Sequence, residues 1–161
     1  MDIIALITQG DEHIALFINK GDFNFEKKVL LQFPPVYGSS YFEMADMNND
    51  GYEDIIYSNG DNADYSIVLK PYHGVRIFLN NGKNEFKEKE FFPMHGASQV
   101  LTSDFDGDGD RDIIAIAFFP DFTQQYRNDI LYFKNEGGQF TPARIRGSEY
   151  GRWLTMTKAD V

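Results

Sequence analysis

The chemistry-bearing residues of this chain are concentrated in one nonapeptide, Asp104-Phe105-Asp106-Gly107-Asp108-Gly109-Asp110-Arg111-Asp112. Carboxylates at alternate positions, interrupted by glycines, gather side-chain oxygens into one tight concave turn. Six to eight oxygen donors suit a hard cation, so this composition calls for calcium rather than zinc or copper. The expected ligands are the side chains of Asp104, Asp106, Asp108 and Asp112 and the backbone carbonyl of Asp110. A second copy reads Asp46-Met47-Asn48-Asn49-Asp50-Gly51-Tyr52-Glu53-Asp54. Its ligands would be Asp46, Asn48, Asp50 and Asp54 with the carbonyl of Tyr52. Asn48 is neutral where the other loop has Asp106, so the first loop is expected to bind the more weakly.

An EF-hand is excluded by the same residues. That loop ends in a bidentate Glu at position 12. Position 12 here is Tyr57 or Ala115, and an apolar β-branched run (Ile55-Ile56, Ile113-Ile114) already occupies the space after position nine.

The loops also explain the charge. The chain has 161 residues, a formal net charge of −10 and 42% hydrophobic residues. The two nonapeptides hold nine of the 25 acidic side chains, so much of the negative charge is aimed at a cation. An acidic surface argues against nucleic acid or an anionic membrane as a partner. The chain has no Cys, which excludes disulfides, thiolate metal sites and a cysteine nucleophile. No apolar run reaches the length of a membrane span, so membrane insertion is not expected.

The loops repeat, and so do their surroundings. Asp46 and Asp104 are 58 residues apart, and Asp104 and Asp160 are 56 apart. The closing aspartates Asp2, Asp54 and Asp112 follow a similar period. Each is followed by a turn: Phe17-Ile18-Asn19-Lys20-Gly21, Phe78-Leu79-Asn80-Asn81-Gly82 and Phe133-Lys134-Asn135-Glu136-Gly137. Each loop is preceded by an aromatic-Gly pair: Tyr37-Gly38, His95-Gly96 and Tyr150-Gly151.

The elements that position the loops are short strands. Asn-x-Gly turns between alternating runs mark hairpins, and an aromatic content of 16%, with 15 Phe and nine Tyr, suits strands better than helices.

 

Each unit then reads as four strands. Strand A enters the acidic loop (Tyr41–Ala45, Gln99–Ser103, Trp153–Lys158) and strand B leaves it (Ile3–Ile7, Ile55–Ser58, Ile113–Phe118). Strand C follows (Ile14–Ile18, Val75–Leu79, Ile130–Phe133), and strand D closes the unit (Phe25–Leu31, Glu85–Phe91, Phe140–Arg146). Four short strands at this period describe a β-propeller blade. The expected fold is all-β, a propeller segment of about three four-stranded antiparallel blades with calcium loops between strands A and B. Blade boundaries fall near 1–36, 37–94 and 95–149, with the first strand of a further blade in 150–161. Such a segment is expected to be completed by the remaining blades of a longer parent chain or by a second copy of itself.

Asp-x-Asp/Asn-x-Asp-Gly-x-x-Asp, an apolar strand and then Phe-x-Asn-x-Gly together resemble the FG-GAP or VCBS repeat of integrin α-subunit propellers and many secreted bacterial proteins. The resemblance covers essentially the whole chain. It implies calcium on the rim where strands A and B meet, held by the residues named above, mostly as a structural brace. It also implies an extracellular, cell-surface or periplasmic location.

The opposite rim is formed by the B–C and D–A connections, and loops on a rigid scaffold are where recognition usually resides. Tyr65, Tyr72, His73, Tyr126, Arg127, Arg152 and Trp153 are the candidate ligand-binding residues there, a mixture that suits a protein or glycan. No catalytic residue is assigned: His13, His73 and His95 occupy different blade positions, and no nucleophile elbow, P-loop or zincin motif is present. The expected function is a calcium-binding, non-enzymatic binding or adhesion module. The alternatives are a non-catalytic accessory part of a larger secreted carbohydrate-active enzyme, or a purely structural assembly unit.

Overall fold

The structure, a computed structural model, describes residues 1–61, 68–125, 128–148 and 151–160. Eleven strands are formed among these residues, and no helix. The first sheet contains β1 (Ile3–Ile7), β2 (His13–Gly21) and β3 (Asn24–Gln32). The second contains β4 (Ser39–Ala45), β5 (Asp54–Asn59), β6 (Gly74–Asn80) and β7 (Phe86–Pro93). The third contains β8 (Ala97–Ser103), β9 (Asp112–Ala117), β10 (Ile130–Glu136) and β11 (Gln139–Arg144). Each is an antiparallel meander in chain order.

Packing of sheet on sheet follows from the alternation of side chains along a strand. On β5, Ile55 and Tyr57 face a core shared with Ile14 and Phe33 of the first unit. Their neighbour Ile56 faces the other way, into a core with Val100, Ile113, Ala115 and Phe133 of the third sheet. All six residues of β5 are buried. The second sheet is therefore covered on both faces, as a propeller blade is. The last strands behave differently: β3 and β11 are mostly exposed, β7 is half exposed with no buried residue, and all three are rich in charged or polar residues, as expected of outer edges.

The aromatic-Gly landmark has a steric cause. Gly38 and Gly96 have φ of +66° and +67°, and a Cβ on either would collide with backbone, at Asp61 and at Phe119 respectively. The carbonyls of these glycines accept N–H bonds from Gly60 (2.9 Å) and Phe118 (2.9 Å), tying the entry of strand A to the exit of strand B.

Trp153–Lys158 departs from expectation: it forms no strand. A ladder needs a second strand, and none among the described residues pairs with this segment in one. The segment lies along β8 instead. Ser98 Oγ donates to the Trp153 carbonyl (2.8 Å), and Gln99 exchanges hydrogen bonds with the Met156 backbone (2.7 and 3.2 Å).

Candidate metal centre

The two acidic loops join β4 to β5 and β8 to β9, on one rim. In the second, carboxylate oxygens of Asp104, Asp106 and Asp108 lie within 4.8 Å of one another. Asp104 is the hub of the turn: Oδ1 accepts the N–H groups of Gly107 (2.7 Å) and Asp108 (3.1 Å), and Oδ2 that of Gly109 (3.1 Å). Asp46 has the same role in the first loop, accepting from Asp50 (3.1 Å) and Gly51 (2.8 Å). Asn48 turns its amide to Asp50, donating to Oδ2 at 2.9 Å.

The aspartates at position nine do something the sequence reading did not include. Asp54 is fully buried; its Oδ2 accepts the Met47 N–H (2.9 Å) and its Oδ1 the Asn80 N–H (2.8 Å). Asp112, also fully buried, accepts from Phe105 N–H (3.1 Å), Asn135 N–H (2.8 Å) and the Tyr132 hydroxyl (2.8 Å). Asp2 accepts the Asn19 N–H at 2.8 Å. Asp54 and Asp112 thus clasp the A–B loop to the Asn-x-Gly hairpin, and Asp2 makes the hairpin half of that contact in the first sheet. Asp112 does not join the Asp104, Asp106 and Asp108 cluster. Burial holds the Asp54 carboxyl above the usual carboxylate range, an effect that its two backbone N–H partners offset only in part.

An all-oxygen donor set, mostly carboxylate and exposed, fits a hard divalent cation. Asp104, Asp106 and Asp108 would hold it, with the Asp110 carbonyl next in the turn. Asp110 itself is fixed from both sides, its carboxylate accepting Gly137 N–H (2.7 Å) and Asn49 Nδ2 (2.8 Å).

The opposite rim holds two adjoining cavities of about 450 and 670 Å³. Thr8, Ser39 and Asp61 line both; Ser98 and Gln99 line one and Tyr72 the other. Of the four rim candidates among the described residues, Tyr72 alone lines either cavity. Its ring stacks on Tyr37, with centroids 5.6 Å apart. His73 is only 1% exposed and borders a small cavity of about 60 Å³ instead. The Arg152 guanidinium lies 4.8 Å from the Phe122 ring, and Trp153 donates its indole N–H to the Ser148 carbonyl (3.3 Å). Tyr65, Tyr126 and Arg127 lie outside the described residues. Sequence reasoning missed Glu12, a buried carboxylate that accepts both the N–H and Oγ–H of Ser39 (3.1 and 2.7 Å) and joins the first two sheets.

Comparison with known proteins places these features. The FG-GAP-like repeat matches residues 1–57 and 59–115. Integrin alpha-PS5 of Drosophila melanogaster is 34% identical over 108 residues, covering 62% of this chain and 11% of that protein. Integrin alpha-3 of Mus musculus is 28% identical over 153 residues, covering 85% of this chain and 14% of that protein. The chain therefore spans a small part of either relative. A GH32 β-fructofuranosidase mutant of Bombyx mori in complex with sucrose aligns over 91% of this chain and 35% of its own, with a TM-score of 0.49 and 16% identity. With two matched repeats over most of its length, this chain belongs to the FG-GAP-like repeat family.

Proposed function

We propose that this chain is a calcium-braced propeller module of a secreted or cell-surface protein, and that it binds a protein or glycan through the rim opposite its acidic loops. The observation that carries the calcium reading is the convergence of Asp104, Asp106 and Asp108 oxygens within 4.8 Å on a turn that buried Asp112 anchors. Asp46, Asn48 and Asp50 form the second site. Calcium at millimolar external levels fills sites too weak for the cytosol, which favours an extracellular location. Resemblance to integrin alpha chains supports a recognition role.

Each sheet is one blade, bounded near 1–36, 37–94 and 95–149. Three blades are fewer than the roughly four to eight that close a propeller. Further blades, from a longer chain or a second copy, complete the ring. Calcium titration calorimetry tests the central claim. Heat of binding is expected from the intact chain, with loss of one site in Asp106→Ala. No heat from either protein overturns the calcium reading.

A further inference from the structure

The Lys134 ammonium, on β10, lies 2.9 Å from Asp106 Oδ2 and 3.6 Å from Asp108 Oδ2. Two of the three converging carboxylates are thus already bridged by a positive charge from outside the loop. Glu136 Oε1 stands 3.1 Å from the same nitrogen. The Phe-x-Asn-x-Gly turns align Lys134 with Leu79 in the second sheet and Ile18 in the first. Neither of those side chains can place a cation on its loop.

We propose that Lys134 is a resident counter-ion of loop 104–112, a tethered ammonium that a divalent cation must displace, and that it sets the affinity of that loop. This rests on the calcium reading above. A divalent ion on Asp106 and Asp108 and an ammonium on the same oxygens repel at such short range. Binding therefore moves Lys134 off the loop, and Glu136 is placed to hold the released ammonium. The balance of the two loops changes accordingly. Loop 104–112 brings three side-chain carboxylates together but carries its own cation; loop 46–54 offers Asp46 and Asp50 beside neutral Asn48, and no Lys or Arg among the described residues is paired with it. The advantage expected from Asp106 over Asn48 is offset by Lys134.

The proposal also assigns Lys134 opposite effects in the two states. Without calcium it relieves repulsion among Asp104, Asp106 and Asp108; with calcium it competes. Calorimetric calcium titration of the intact chain, with Lys134→Met and Lys134→Gln, tests this, using Asp50→Ala and Asp106→Ala backgrounds to assign the two sites. Both neutral variants are expected to bind calcium at loop 104–112 about tenfold more tightly. Both should also melt at a lower temperature than the wild type in chelator. Leu79→Lys should weaken loop 46–54. Calcium binding with unchanged affinity in both Lys134 variants overturns the counter-ion proposal and leaves the calcium reading standing. Absence of binding in every protein overturns both.

Discussion

Asn49 and Asp110 join the two acidic loops directly: the Asn49 side-chain amide donates to Asp110 Oδ1 at 2.8 Å. Asn49 sits at φ +57°, a left-handed conformation that aims its side chain across the rim. A second link runs parallel, from Asn135 Nδ2 to the Met47 carbonyl at 3.1 Å. The loops of neighbouring sheets therefore form one connected rim.

Asn49→Gly keeps the left-handed backbone and removes the amide. It should cost less than about 1 kcal/mol in the absence of calcium, because the bond is exposed. Calcium binding to the two loops should become independent in the variant. Two-site calorimetry checks this; equal coupling in both proteins would show that Asn49 transmits nothing.

Asp54→Asn and Asp112→Asn test the clasp. Each replaces an acceptor oxygen with an NH₂ group pointing at a backbone N–H. Urea unfolding is expected to show a loss of about 1–3 kcal/mol in either variant, present in chelator as well as in calcium. A loss seen only in calcium would make these residues ligands and nothing else.

The clasp shows where legibility ended. Strand B was readable residue for residue at Ile3–Ile7, because a β-branched run after an acidic turn has few alternatives. The aromatic-Gly pairs were visible as landmarks, although their cause at Gly38 and Gly96 needed the backbone contacts. Asp54 and Asp112 were readable as acidic loop residues, but their partners Asn80 and Asn135 lie more than 20 residues away. Lys134 was visible only as a member of the Phe133–Gly137 turn, with nothing to tie it to Asp106 and Asp108 more than 20 residues earlier. Arg76 was equally opaque: it is buried, donates to Asn59 and the Tyr72 carbonyl, and packs against the rings of Tyr37 and Phe91. Trp153–Lys158 had the composition of a strand and no ladder partner.

His73 should make stability fall in mild acid. Burial, reinforced by the charges of Lys70, His95 and Arg76, lowers it from 6.5 to about 4. A histidine with a depressed folded value favours the folded state above the unfolded value and loses that contribution as pH falls. The melting temperature should therefore drop between pH 6.5 and 4, and His73→Gln should flatten that drop. Parallel pH profiles for the two proteins would remove His73 as the cause.

Recognition at the far rim predicts that Tyr72→Ala weakens capture of a glycan-array or protein ligand, while Trp153→Ala has the smaller effect. Tyr72 lines the larger cavity and stacks on Tyr37, whereas Trp153 lines neither cavity. Thermal melting of both variants should stay near the wild type, since neither residue is buried. Ligand binding unaltered by Tyr72→Ala would move recognition away from this cavity.

Gly96→Ala is the most severe single change expected outside the cores. The added methyl would enforce a left-handed backbone on alanine, costing about 1–2 kcal/mol. It would also strike the Phe119 backbone, which cannot yield as a flexible side chain would. That backbone lies beside the Gly96 carbonyl bond to Phe118 N–H, so relief of the clash breaks the tie between β8 and the exit of β9. A total loss of at least about 2 kcal/mol is expected in urea unfolding. Gly107→Ala, where nothing lies within 4 Å of the added Cβ, carries the conformational cost alone and serves as the comparison. If the two variants lose equal stability, the close approach at Phe119 contributes nothing and the aromatic-Gly landmark is explained by φ alone.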